Sequence, residues 1–319
     1  MNHRLNRGLS RLRIEFEEKV TRRRFTMPPE LIHADRISSA LECIQRRWPE
    51  SFDSANDPES PIFIFSAGWR SGSTLLQRLI VSTGETIIWG EPLGDAAMIQ
   101  RLAQSISAIT DTWPPDSFFD RESGASGLSD KWIANLSPDI GFLRSSHRAL
   151  FQEWLGKSAK GIFGAERWGL KEVRLTIHHA KYLKWLYPKA RFLFIYRHLF
   201  DAYRSWKGNR WKSVWPGYYP KSPVVFARHW RNLLEGFLEG YRDVDGVLIR
   251  FEDLVSGKVD LSGIASYLQV DELNSSVLKK TVRTTGGDQS VRKNPLTIYD
   301  RIMLTWTGGS LLAKLGYNR

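Results

Sequence analysis

Cysteine is nearly absent: Cys43 is the one thiol in 319 residues. A single thiol excludes an intrachain disulfide and any zinc site built from thiolates, and it fits a reducing compartment. Cys43 follows an apolar-periodic stretch and reads as a small core residue. Long hydrophobic runs are missing as well, since no stretch approaches the ~18 apolar residues of a membrane span. The first residues are charged throughout and lack the apolar segment of a secretory signal. Acidic residues are in deficit, with 34 Asp and Glu against 46 Lys and Arg, for a formal net charge of +12. The expectation is a soluble, cytoplasmic protein with an anionic partner: nucleic acid, a membrane, or a phosphorylated or sulfated small molecule.

What is present is ordinary globular composition, 42% hydrophobic and 25% charged, with an unusual 13 Trp. Trp joins a large apolar face to one N–H, so some of these rings are expected at clefts. The basic excess begins early, in Arg4, Arg7, Arg11, Arg13, Lys19, Arg22, Arg23 and Arg24. Such a run reads either as a solvated helix or as a peripheral contact with a membrane surface or partner. Residues 1–55 are expected to form a basic helical extension, closed by a turn-rich linker over residues 51–61, and residues 56–319 the main domain.

Strand candidates follow at Ile62–Phe65, Thr86–Trp89, Trp168–Leu170, Arg191–Tyr196 and Val247–Phe251. Helices are expected over residues 74–81, 95–109, 142–156, from about residue 200, and over 224–242, with a surface excursion at 113–129. Strands alternating with helices argue for a parallel sheet with helices on both faces. Ligands collect at the carboxyl ends of such strands. The stretch Gly68 to Leu75, Glu91, Lys171 and Arg197 each come just after a strand candidate, so one edge would gather them.

Gly68-Trp69-Arg70-Ser71-Gly72-Ser73-Thr74-Leu75 is a glycine-containing loop between a strand and a helix. Free amides at a helix start, together with the helix dipole, favour an anion. A nucleoside triphosphatase would read G-x-x-x-x-G-K-[ST] here. Ser73 follows Gly72 instead of lysine, and Gly68 is one residue too close, so a kinase or NTPase loses its triphosphate lysine. A bare helix cap of serine and threonine is the structural alternative.

The loop resembles the 5′-phosphosulfate-binding loop of sulfotransferases that use 3′-phosphoadenosine 5′-phosphosulfate (PAPS), in the bacterial and carbohydrate-type branch. The resemblance implies that Arg70 and the amides and hydroxyls of Ser71, Gly72, Ser73, Thr74 and Leu75 contact the 5′ end of the donor. Arg191 to Ser205 resembles the family's 3′-phosphate element, a strand ending in Arg197 with Ser205 on the next helix. The family commonly has Asn or Asp and then Pro after the Arg, where this chain has His198 and Leu199. Taken alone, Arg197 is open to a strand-end ion pair and Ser205 to an exposed helix position. The fold implied is α/β, a P-loop-NTPase-like parallel sheet flanked by helices, with an N-terminal helical extension.

The resemblance also names the chemistry. Glu91, in Trp89-Gly90-Glu91-Pro92-Leu93, matches a base position, though a Glu before Pro is also a common turn residue. Lys171 resembles the lysine that stabilises the leaving group. Where the small-molecule branch has a His, two residues later, this chain has Val173, so the base role moves to Glu91; Glu172 is in reserve, or pairs with Arg174 or Lys171. Gly286 to Lys293 resembles a late basic loop that closes over the donor, which implies Arg292 as a second ligand for the 3′-phosphate, and Leu315-Gly316-Tyr317 is frequent in bacterial relatives. Trp206 to Pro223 interleaves aromatic and basic residues and reads as an acceptor lip or as a loop packed on the domain. No metal cluster is evident, since His178 and His179 are adjacent and their rings diverge on a helix. The expected function is sulfuryl transfer from PAPS to a small-molecule or carbohydrate acceptor, with no metal. The rival reading is a nucleic-acid-binding protein, which leaves the pairing of Arg197 and Ser205 with the loop unexplained.

Overall fold

The computed structural model describes residues 33–52, 57–208, 220, 222–279 and 295–317. Helix α1 (Asp35–Arg47) precedes strand β1 (Ile62–Ser66), helix α2 (Ser73–Val81) and strand β2 (Thr86–Trp89). Helices α3 (Met98–Ser105), α4 (Ile140–Phe151) and α5 (Lys157–Phe163) follow, then β3 (Arg167–Glu172) and α6 (Ile177–Leu186). After β4 (Arg191–Tyr196) come α7 (Leu199–Lys207) and α8 (Pro223–Gly240). The chain continues through β5 (Val247–Arg250), α9 (Phe251–Val255), α10 (Leu261–Leu268), α11 (Ser276–Lys279) and α12 (Ile298–Lys314).

The five strands form one sheet in the order β2-β3-β1-β4-β5, and every neighbouring pair is parallel. Helices cover both faces, which is why central strands read as unbroken apolar runs rather than alternating ones. All five residues of β1 are buried. Phe63, Phe65, Trp168, Leu170, Phe192 and Phe194 face one layer of helices, with Phe226, Trp230 and Phe237 of α8 against them. Ile62, Ile64, Ile88, Leu193, Ile195 and Ile249 face the other, against Leu76, Leu79 and Ile80 of α2 and Ile264 and Leu268 of α10. Each fully buried Phe or Ile contributes roughly 1.5–3 kcal/mol.

Helix α1 is part of the first layer. Its Ile37, Ala40, Leu41 and Ile44 are buried in that core, and Ser38 Oγ lies 2.7 Å from His178 Nδ1 on α6. The basic run from Arg4 to Arg24 lies outside the described residues. Between α4 and α5 the helix widens into one π turn, Gln152–Gly156. That segment satisfies two indoles of the sheet: Trp168 Nε1 donates to Gln152 Oε1 at 3.0 Å, and Trp89 Nε1 to Leu155 O at 3.1 Å. Among the described residues, no helix is long and apolar enough to cross a membrane.

The expected P-loop-NTPase-like fold is corrected at the turn after β1. Helix α2 begins at Ser73, directly after left-handed Gly72, and no lysine stands at its head to reach a terminal phosphate. The basic side chain of the turn is Arg70, ahead of the glycine, and it extends to α7 instead. The strand order and parallel pairing remain those of an α/β protein with a central sheet.

Candidate active site

The loop after β1 holds three left-handed residues, Gly68 (φ 76), Arg70 (φ 64) and Gly72 (φ 98). Two buried hydroxyls brace it from within: Ser66 Oγ donates to Gly68 O at 2.8 Å, and Ser71 Oγ to Ala67 O at 2.9 Å. Glycine is required at position 72, because a Cβ there would lie 2.2 Å from Cδ2 of Phe251. The carbonyl of Gly72 accepts from the amides of Leu75 and Leu76 at 2.9 and 3.1 Å, which starts α2. The amides of Arg70 through Thr74 make no hydrogen bond to another described residue. Five donors are thus left open at a helix N-terminus, where the dipole favours an anion.

The two segments that resembled donor-binding elements meet. Arg70 Nε donates to Ser205 Oγ at 2.8 Å, and Arg197 Nη1 donates to Arg70 O at 3.4 Å. The Arg197 guanidinium carbon lies 4.4 Å over the Phe251 ring. The Phe251 ring therefore touches both the Gly72 backbone and Arg197. Burial lowers the Arg197 pKa, and Arg70 and Arg204 push the same way against Asp201 and Glu252. An anion bound between these cations would offset their repulsion. The turn after Arg197, which lacks Asn-Pro chemistry, is held from outside: His198 N donates to Glu252 Oε1 at 2.9 Å, and Tyr317 OH to Glu252 Oε2 at 2.8 Å.

Trp69 lies between two other rings, with centroids 5.3 Å from Trp206 and 4.5 Å from His229. His229 is buried; that burial pulls its pKa down to about 4, so near neutrality the ring carries no charge. Its Nε2–H donates to Val173 O at 3.0 Å. His229 thereby touches both the loop after β1 and the chain just past β3.

The third group sits at the ends of β2 and β3. Lys171 Nζ pairs with Glu91 Oε1, and both side chains are about nine-tenths buried, with 9% and 11% exposure. Lys171 pairs in register with Ile64 of β1, and Leu170 with Trp89 of β2, so the pair lies beside the loop. Glu172 points to the opposite face of β3, as strand alternation demands. Its partner is Arg174, with Nη2 to Oε1 at 3.2 Å. Among the described residues, no group of three His, Cys, Asp or Glu is placed to hold a metal.

The edge therefore brings together Arg70 to Leu75, Arg197 and Ser205, with Glu91 and Lys171 alongside. Arg292 and the aromatic residues Trp211, Trp215, Tyr218 and Tyr219 lie outside the described residues. Sequence reasoning missed Phe251 and His229, and it offered Arg174 only as a pairing partner for Glu172, which the structure shows. Of the two missed, only Phe251 left a trace, as an aromatic residue at the end of the last strand candidate.

Residues 61–295 match the sulfotransferase family. The chain belongs to that family. Similar solved structures include the sulfotransferase domain of the Synechococcus PCC 7002 olefin synthase, at 17% identity over 82% of this chain and 98% of that one, TM-score 0.45. The sulfotransferase domain from the curacin biosynthetic pathway has 16% identity over 82% and 98%, TM-score 0.44. The sulfotransferase STF9 from Mycobacterium avium has 14% identity over 90% and 86%, TM-score 0.39. No curated protein matches the chain. Membership completes the correction of the fold: the sheet is that of a sulfotransferase, not of a P-loop NTPase.

Proposed function

We propose that this sulfotransferase moves a sulfuryl group from PAPS to an acceptor hydroxyl on a carbohydrate, glycolipid or other small metabolite, by in-line transfer with a carboxylate base. The observation that carries the donor assignment is the 2.8 Å hydrogen bond from Arg70 to Ser205, with Arg197 on the Arg70 carbonyl. It sets an arginine and a buried serine beside a loop of open amides. The amides suit the 5′ end of the donor, and Arg197 with Ser205 suits a second anion close by, the 3′-phosphate.

PAPS supplies an electron-poor sulfuryl group on a bridging phosphate oxygen. The acceptor oxygen bonds to sulfur as the bond from sulfur to that bridging oxygen breaks. Glu91 takes the acceptor proton, and the Lys171 ammonium lies against the charge that develops on the departing oxygen. In the structure these two groups neutralise each other. Turnover requires them to part, with the acceptor hydroxyl taking Glu91 and the bridging oxygen taking Lys171.

Calorimetry with 3′-phosphoadenosine 5′-phosphate (PAP) and with AMP tests the donor assignment. Arg197→Ala is expected to weaken PAP by roughly 1.5–3 kcal/mol, the scale of a hydrogen bond to a charged group, and to leave AMP unchanged. Equal binding of the two nucleotides by the parent protein refutes the assignment.

A further inference from the structure

The turn that carries Glu91 is one its own sequence disfavours. Gly94 N donates to Glu91 O at 3.0 Å, closing a four-residue turn with Pro92 second and Leu93 third. Leu93 has φ 54 and ψ 12, the left-handed place that a type II turn gives to glycine or asparagine. Ala97 follows at φ 48. Left-handed residues other than glycine persist only where the surroundings over-determine them.

Arg174 supplies that constraint. Its Nη2 donates to Gly94 O at 2.5 Å and to Glu172 Oε1 at 3.2 Å. The second oxygen of Glu172 accepts from Val173 N at 3.1 Å. The Arg174 and Glu172 side chains are 6% and 5% exposed. The space between Glu172 and the turn is a cavity of about 10 Å³ lined by Pro92, Gly94, Gln100 and Leu170, room for one water at most. Both oxygens of Glu172 are therefore engaged in holding structure, and no acceptor hydroxyl has room to reach it there. Burial raises the Glu172 carboxyl above its ordinary range, and the neighbouring Glu91 adds to this against Arg174 and Lys171.

We infer that Arg174, anchored by Glu172, is a positioning residue: it fixes the turn from Glu91 to Gly94 and so aims the Glu91 carboxylate. Glu172, the reserve base of the sequence reading, then belongs to the brace and not to the reacting atoms. The inference rests on Glu91 as the base, and its test separates the two ideas.

The full chain and its variants Arg174→Met, Arg174→Lys, Glu172→Gln and Glu91→Gln are compared by three readouts. These are PAP affinity by calorimetry, release of PAP from PAPS with water as the acceptor probe, and deuterium exchange at the amides of Leu93 to Ala97. Arg174→Met is expected to speed that exchange at least about tenfold and to lower kcat at least about tenfold. PAP affinity and the KM for PAPS should stay within about twofold, and Arg174→Lys should recover part of kcat. Unchanged exchange and kcat overturn the brace. If Arg174→Met does not fold, Glu172→Gln decides: faster exchange at Leu93 to Ala97 supports the brace, whereas lost turnover with unchanged exchange makes Glu172 the base and overturns it. Retained turnover in Glu91→Gln defeats the base assignment alone, and the exchange data still judge the brace.

Discussion

Gly72→Ala is the most exacting perturbation of the donor loop. The new Cβ meets Phe251 Cδ2 at 2.2 Å and Cε2 at 2.7 Å, and the backbone sits at φ +98. Holding an L-residue left-handed costs roughly 1–2 kcal/mol. Overpacking against a ring that must move costs a further ~1–3 kcal/mol. The sum, about 2–5 kcal/mol, is a large share of a net stability of ~5–15 kcal/mol, so the variant should fold but unfold at lower urea. The Arg197 guanidinium carbon packs 4.4 Å from the centre of the same ring. Pushing the ring aside therefore displaces Arg197, and PAP affinity should fall further than AMP affinity. Urea unfolding and calorimetry on Gly72→Ala, Phe251→Ala and the double variant complete the experiment. With the ring gone only the backbone cost remains, so the two substitutions should couple favourably by ~1–3 kcal/mol. Stability of Gly72→Ala within about 0.5 kcal/mol of the parent, or strict additivity with Phe251→Ala, would refute the reasoning.

His229 gives a stability prediction in pH. Its folded pKa is about 4 against 6.5 for the free side chain. Below pH 6.5 the unfolded chain takes up a proton that the folded chain refuses until about 4, so stability is full above pH 6.5 and falls as pH drops through that window. The loss between pH 7 and pH 5 is about 2 kcal/mol, read by urea unfolding. His229→Gln should remove that share of the slope; His179, depressed to about 3 by burial, keeps its own. An unchanged slope in His229→Gln counts against a neutral buried ring. Lys171→Met leaves Glu91 without its partner in a nearly buried spot. It should destabilise the chain more than Lys171→Met with Glu91→Gln together, because an unpaired buried charge costs several kcal/mol. Equal stability of the single and double variants would mean that the pair is solvated.

Much of the sheet was legible. Thr86–Trp89 and Arg191–Tyr196 are strands as read, because apolar residues bounded by turn residues leave little else to choose. β3 runs longer than its reading, Arg167–Glu172 instead of three residues, since the charged Lys171 and Glu172 look like a loop until their partners are in place. β5 stops one residue early, at Arg250, because Phe251 opens a helix and turns its ring to Gly72. Helix α12 was missed altogether. Gly308 and Gly309 break its pattern, yet Gly308 is what lets it approach α7, where a Cβ would lie 2.4 Å from Leu199 Cδ2. In the site, the gathering of Arg70, Arg197, Glu91 and Lys171 at one edge followed from strand ends, and Ser205 from the resemblance of its segment. The supports did so only in part: the Glu172–Arg174 pair was open to reading from its spacing, whereas Phe251, His229 and the reach of Arg174 to Gly94 are contacts between distant segments, which no local pattern encodes.

The strand order has a consequence for how this enzyme can change. Everything proposed to hold the donor's 3′ end comes from the β4 and β5 side, and everything proposed for proton and leaving-group chemistry from the β2 and β3 side. β1 lies between them. Substitutions on the two sides should act nearly independently, so the proton and leaving-group chemistry can change at one edge while the grip on the donor's 3′ end stays intact. Only the seam has two masters. The loop from Gly68 to Gly72 and His229, which reaches from Trp69 to the Val173 carbonyl, must suit both halves at once.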